Sequence, residues 1–186
     1  MLAADPVDQV PVDPASHVVV LPYSSGTMGL PKGVELTHRN LVANLAQTDR
    51  LSTTGPGDVV LAVLPFFHIY GLQVLMNGVL FHGARTVTLP RFDLAEFLGV
   101  IQEHRVTRVA AVPPIVVALA KHPMVADYDL SSLVQIGSGA APLSADVEEA
   151  AAKRTGAEVI QGYGLTETSP VTHTALPGSA RSGSIG

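Results

Sequence analysis

The sequence predicts an α/β fold with a parallel-rich sheet and flanking helices. Three observations carry the prediction. Short β-branched runs recur at 17–22, 58–63, 85–89, 106–112, 133–137 and 157–161. Segments with helical spacing of apolar residues lie between them. Glycine- and serine-rich strings follow directly on several of the runs. Strands alternating with helices make βαβ units, because parallel neighbours need a long crossover. In such sheets ligands sit outside the carboxyl ends of the strands, so the informative residues are those just after each run.

The elements follow in order. Residues 1–16 hold three prolines and three aspartates and read as a loop or linker. The run His17-Val-Val-Val-Leu-Pro22 is the first strand. Thr37 to Leu51 is a helix that Thr37 caps. Residues 71–81 and 114–121 are weaker helices. Asp93 to Glu103 is the clearest one, with Leu94, Phe97, Leu98 and Ile101 at i, i+3, i+4 and i+7. Asp93 followed three residues later by Glu96 resembles a capping box. From Ser144 to Thr155, Ser144 is the expected cap. Acidic residues fill the first turns, Lys153 and Arg154 the last, and Gly156 follows, an order that suits the helix dipole. The tail after Ser169 is rich in Ser, Gly, Pro and Thr and reads as loop, as if the chain stopped in mid-structure.

Composition excludes several classes. With 47% hydrophobic and 15% charged residues, the chain is too apolar for disorder. The absence of cysteine excludes a disulfide scaffold, a cysteine nucleophile and thiolate metal sites. A net charge of −5 argues against a nucleic-acid partner. No apolar run approaches the roughly 20 residues a membrane span needs, and the N-terminus lacks a signal-peptide pattern. The expected compartment is the cytoplasm.

Four strings carry possible chemistry. Tyr23-Ser-Ser-Gly-Thr-Met-Gly-Leu-Pro-Lys-Gly33 packs three glycines, three aliphatic hydroxyls and a lysine into eleven residues. Exposed backbone N–H groups, the hydroxyls of Ser24, Ser25 and Thr27, and the Lys32 charge read as a phosphate-holding loop. It is not the P-loop of NTPases, since Pro31 precedes Lys32 and Gly33 follows it. Gln161-Gly-Tyr-Gly-Leu-Thr-Glu167 sets an aromatic between glycines, with Glu167 as a carboxylate for a hard cation; by itself it reads equally as a tight turn. Leu64-Pro-Phe-Phe-His-Ile-Tyr-Gly71 places His68 among apolar residues, which alone is the pattern of a packed structural histidine. Gln135-Ile-Gly-Ser-Gly-Ala-Ala-Pro142 grazes the Gly-x-Ser-x-Gly elbow of hydrolases, but Ile136 stands where its first glycine must be.

Together, the first two strings resemble the signatures of the adenylate-forming superfamily of acyl-CoA synthetases, luciferases and peptide-synthetase adenylation domains. Leu64–Gly71 and Ser138-Gly-Ala-Ala-Pro-Leu143 are similar to the corresponding strings of 4-coumarate–CoA ligases. The resemblance implies that residues 17–186 form part of the large N-terminal domain of such an enzyme, a central fragment without the small C-terminal domain. It assigns the ATP phosphates to Ser24, Ser25, Gly26, Thr27, Met28, Gly29 and Lys32. The adenylate falls to Gln161, Gly162, Tyr163, Gly164 and Thr166, and Mg²⁺ to Glu167. His68, Tyr70, Ala140 and Ala141 would border the acyl pocket. Lys32, His68, Thr166 and Glu167 are the residues expected to serve the reaction. The implied chemistry is activation of a small carboxylic acid by ATP to acyl-AMP, then transfer to CoA. Met28 departs from the family, which usually has a second threonine there; losing that donor removes about 1–3 kcal/mol of binding or transition-state stabilisation. The ribose anchor, hinge and lysine-bearing domain of the family have no match, so the isolated chain is expected to be inactive. A non-catalytic nucleotide-binding remnant and a domain loading a carrier protein are the alternatives.

Overall fold

The computed structural model describes residues 7–24, 30–176 and 178–186. The chain begins with two small antiparallel pairs. β1 (Val18–Val20) pairs with β4 (Leu36–Thr37), and β2 (Tyr23–Ser24) pairs with β3 (Lys32–Gly33). The first expected strand therefore forms but stays outside the main sheet. Among the described residues no helix lies between it and Thr37 to carry the chain across, and Val18 and Val19 are exposed. α1 (His38–Asp49) then starts at the Thr37 cap. The Thr37 side chain accepts from the Asn40 backbone N–H, and the Asn40 side chain returns the bond.

The main sheet holds β5 (Val59–Ala62), β6 (Arg85–Thr88), β7 (Arg108–Ala111), β8 (Gln135–Ser138), β9 (Glu158–Gly164) and β10 (Val171–Thr174). Its order is β10-β9-β8-β7-β5-β6. All pairings are parallel except β10 with β9. β10 is a correction to the loop expected after Ser169. Its run Val-Thr-His-Thr is β-prone but short, and it completes the sheet by folding back along β9. The order turns at β5, since β6 lies on one side of it and β7 on the other. This is the topological switch point at which open α/β sheets bind ligands.

Helices cover the two faces unequally. α3 (Leu94–His104), α4 (Pro113–Lys121) and α5 (Ala145–Thr155) lie on one face. There they build the larger core: Leu61, Phe97, Leu98, Ile101, Val116, Leu119 and Ile136 are all buried. Truncating Phe97 to alanine would cost about 3–5 kcal/mol, as for other buried aromatics. On the other face, a π-helical stretch (Gly71–Gly78) runs into α2 (Val79–Phe81). Leu75 and Val79 pack on Val60, Ala62 and Ala110. Two helix starts differ from expectation. Asp93 accepts from Glu96 N–H at 3.0 Å without a return bond. The Ser144 side chain makes no capping bond; its carbonyl takes the Val147 and Glu148 N–H groups instead.

Candidate functional site

Three segments leave the carboxyl ends of β5, β8 and β9 and converge. After β5, the chain doubles back from Pro65 to Gly71. Gly71 is required there, since a Cβ would collide with the Pro65 carbonyl. The His68 N–H donates to the Pro65 carbonyl at 3.1 Å, and the Tyr70 N–H donates to His68 Nδ1 at 3.2 Å. Nδ1 is thus an acceptor, which leaves Nε2 to carry the proton of the neutral ring. Burial pushes the Tyr70 phenol up, so it stays a neutral hydroxyl at physiological pH. Its ring lies over Gly139, where an added Cβ would come within 3.1–3.3 Å of Cε1, Cζ and the hydroxyl.

After β8, Gly139 and Ala140 form a wall. Ala140 adopts φ 70°, the left-handed region, which costs a non-glycine residue about 1–2 kcal/mol. After β9, Gly164 lets the strand approach Pro170, whose carbonyl accepts the Leu165 N–H at 3.1 Å. The 3₁₀ turn Thr166–Thr168 follows, with Thr166 buried. Asn44 on α1 ties this turn down by donating to the Val171 carbonyl at 2.8 Å. Tyr163 is half exposed, held edge-on by His173 at 5.9 Å between ring centroids. β2 reaches the same turn, with Cα atoms within 8 Å of Thr166–Thr168.

These segments enclose one cavity of about 800 Å³. Ser24, Lys32, His68, Tyr70, Ala140, Gly162, Tyr163, Gly164, Thr166 and Glu167 all line it. Ser25, Gly26, Thr27, Met28 and Gly29 lie outside the described residues. Ala141 is exposed and does not line the cavity. Gln161 is a correction at the side-chain level. Its position on β9 shares the face of Val159, so its amide points to the helix side, where it donates to Glu148 on α5 at 2.7 Å.

Several lining residues escaped the sequence reading. Gly137 and Ile160 line the cavity from the sheet face opposite α3, α4 and α5, and Val74 does so from the π-helical stretch. A glycine inside a strand was the available signal for Gly137. The cavity continues to Gln135 and Arg108 at the amino ends of the strands. There Arg108 Nε lies 3.0 Å from Asp58 Oδ2, out of line for a hydrogen bond.

Among the described residues no three His, Asp or Glu side chains gather into a metal cage. Among the described residues Glu167 is the only carboxylate that lines the cavity. That donor set fits Mg²⁺, which binds through one or two carboxylates and takes its remaining ligands from phosphates and water. No described helix is long and apolar enough to cross a membrane.

Comparison with known proteins gives a consistent answer. A family model described as AMP-binding enzyme matches residues 2–186. 4-Coumarate–CoA ligase 1 of Oryza sativa subsp. japonica is 47% identical over 197 residues, covering 100% of this chain and 34% of that protein. A probable 4-coumarate–CoA ligase 1 of Dictyostelium discoideum is 44% identical over 181 residues, covering 95% of this chain and 33% of that protein. Among solved structures, ATP-bound MatB from Rhodopseudomonas palustris superposes with a TM-score of 0.80 at 31% identity, over 91% of this chain and 33% of that one. A red-emitting luciferase from Phrixothrix hirtus gives 0.81 at 36% identity, over 94% of this chain and 34% of that one. The chain spans about a third of the length of the curated relatives it matches.

Proposed function

The chain belongs to the AMP-binding enzyme family, and from that premise we propose that the protein activates an aryl or acyl carboxylic acid with ATP and passes it to CoA. The acid's carboxylate oxygen attacks the α-phosphorus, and the bond to the β-phosphate oxygen breaks, releasing pyrophosphate. The CoA thiolate then attacks the acyl carbon and AMP leaves. One observation carries this reading: Ser24 and Lys32, the Gly162–Glu167 segment and the His68–Tyr70 turn all line a single cavity at the sheet's switch point. Lys32, with Ser24, is assigned to the phosphates, Tyr163 to the base, and Thr166 to the adenylate. His68, Tyr70 and Ala140 border the acid. Glu167 would hold Mg²⁺, which when bound offsets phosphate charge. Phosphoryl chemistry of this kind depends on positioning and charge neutralisation rather than on a protein nucleophile.

The same observation limits what these 186 residues do alone. Among the described residues, Lys32 is the only lysine or arginine that lines the cavity at the carboxyl ends of the strands. The isolated residues are therefore expected to bind ATP without completing acyl transfer. A fluorescent ATP analogue titrated into the chain should bind and be displaced by ATP. Lys32→Ala should weaken it by about 1.5–3 kcal/mol, roughly ten- to a hundredfold, as for loss of a charge-assisted hydrogen bond. Lys32 is exposed, so the melting temperature should stay put. Equal affinity in both proteins would remove Lys32 from the phosphate site. Pyrophosphate–ATP exchange dependent on a cinnamate-type acid, absent in Lys32→Ala, would show that these residues suffice for adenylation.

A further inference from the structure

Behind the candidate site, on the helix side of the sheet, sits a buried polar cluster that neither the nucleotide nor the acid would touch. Glu148, in the first turn of α5, is 5% exposed, and Gln161 on β9 is also 5% exposed. Glu148 Oε2 accepts from Gln161 Nε2 at 2.7 Å and from the Gly183 N–H at 3.2 Å. Gln161 Oε1 accepts from the Leu143 N–H at 3.0 Å. Among the described residues no Lys, Arg or His nitrogen comes within 4.0 Å of the Glu148 carboxylate. A buried carboxylate without a cation is costly, and an apolar side chain of similar volume would pack there at lower cost. The first turn of α5 offsets part of that cost through the helix dipole, and the rest calls for a reason beyond packing.

The hydrogen bonds supply that reason. A carboxylate only accepts, so it fixes which end of the Gln161 amide faces it. The NH₂ turns to Glu148, and the carbonyl oxygen is thereby presented to Leu143. Leu143 closes the segment that begins Gly139-Ala140, where Ala140 holds a left-handed backbone. Strain of that kind persists only where the surroundings dictate it. Gln161 itself precedes Gly162-Tyr163-Gly164 directly. One amide therefore ties the Gly139–Ala140 wall of the cavity to the strand that carries the base- and adenylate-facing residues. Ser138, the register partner of Gln161 on β8, carries a buried hydroxyl with no partner among the described residues. Without the carboxylate, the Gln161 amide has that hydroxyl as an alternative partner, and the Leu143 tie loses its fixed acceptor.

We propose that Glu148 is a positioning residue: through Gln161 it sets the spacing between the Gly139–Ala140 wall and the Gly162–Thr166 segment, and so the shape of the nucleotide site. The consequence for affinity rests on the nucleotide-binding reading above; the tie itself does not. Three variants of the 186-residue chain test it. Glu148→Leu removes the acceptor, Gln161→Met removes the amide at similar volume, and Glu148→Gln keeps an acceptor oxygen for Gln161. Amide hydrogen exchange at Leu143 reads the tie directly. It should be protected in the wild type and in Glu148→Gln, and unprotected in Glu148→Leu and Gln161→Met while neighbouring β8 and β9 amides stay protected. Affinity for the fluorescent ATP analogue should fall about tenfold or more in Glu148→Leu, with unfolding stability equal or higher, and stay near wild type in Glu148→Gln. A purely packing role would move stability and leave affinity alone. If Glu148→Leu does not fold, Gln161→Met carries both readouts. Fast Leu143 exchange in the folded wild type, or protection unchanged in the folded variants, overturns the tie. Protection lost with affinity intact overturns its role in the site. If the wild type binds no nucleotide, the functional reading fails while Leu143 exchange still decides the tie.

Discussion

Two glycines on the same short stretch are there for opposite reasons. At Gly139 the Tyr70 ring lies only 3.1–3.3 Å from where a Cβ would go. At Gly137, inside β8, a Cβ would meet only the Val109 carbonyl oxygen at 3.9 Å, ordinary contact distance, and the backbone is not left-handed. Glycine weakens a strand interior, and here neither sterics nor φ demands it. What its missing side chain leaves is space, because Gly137 faces the cavity. Gly137→Val should therefore be tolerated by β8, where a β-branched residue is favoured, and should cut the cavity short. Under the acid-activating reading, affinity for bulky aryl acids should drop about tenfold or more, while short acids and the nucleotide are affected much less. Calorimetric titration with acids of graded size checks this; a uniform loss, or none, would mean that acids do not lie against β8.

At the level of elements, two helix starts that read alike in sequence behave differently. Thr37 makes a reciprocal box with Asn40, whereas the Ser144 side chain caps nothing. Thr37→Ala should cost about 1 kcal/mol in urea unfolding, and Ser144→Ala should stay within about 0.5 kcal/mol. Equal costs would mean that the Thr37 box is not formed in solution. The same contrast shows what a sequence carries. The strands of the parallel core were legible because each is a β-branched run closed off by a helix with its own period. β1 was legible as a strand but its partner was not, since Leu36–Thr37 is only two residues long and sits at a helix cap. β10 was hidden in a Ser/Thr-rich tail, because an antiparallel edge strand exposed to solvent needs no apolar run. At the site, Ser24, Lys32 and the Gly162–Glu167 segment line the cavity, but the strings hid the direction of Gln161. Strand alternation contains that information: Val159 and Gln161 share one face, Ile160 and Gly162 the other.

Seen whole, the molecule has two poles. The candidate site lies at the carboxyl ends of the strands, and a polar row crosses the amino ends. Arg108, Gln135 and Glu158 are register neighbours on β7, β8 and β9. Arg108 donates to Gln135 Oε1 and to the Thr53 carbonyl, both at 3.0 Å, and Gln135 donates to Glu158 at 3.2 Å. Asp58 anchors the row beside Arg108. Burial pushes its carboxyl up, but the Thr107 hydroxyl at 2.6 Å, the Gly55 N–H at 2.9 Å and the Arg108 guanidinium outweigh that and hold it below the usual carboxylate range. The folded state therefore keeps Asp58 ionised to lower pH than the unfolded chain does, whose value is about 3.9. Its contribution to stability is fully present above that value and is lost as pH falls through the folded one. Asp58→Asn leaves the Arg108 charge buried without its partner, at a cost of about 3–5 kcal/mol at neutral pH. Urea unfolding of both proteins from pH 7 to pH 3 should show that gap constant down to about pH 5 and then closing, as the wild type loses what the variant already lacks. Subtracting one curve from the other removes the titration of every other carboxylate, so the closing gap reports Asp58 alone. A gap that stays constant to pH 3 would mean that Asp58 titrates alike in the folded and unfolded chain, and that the amino-end row does not hold it.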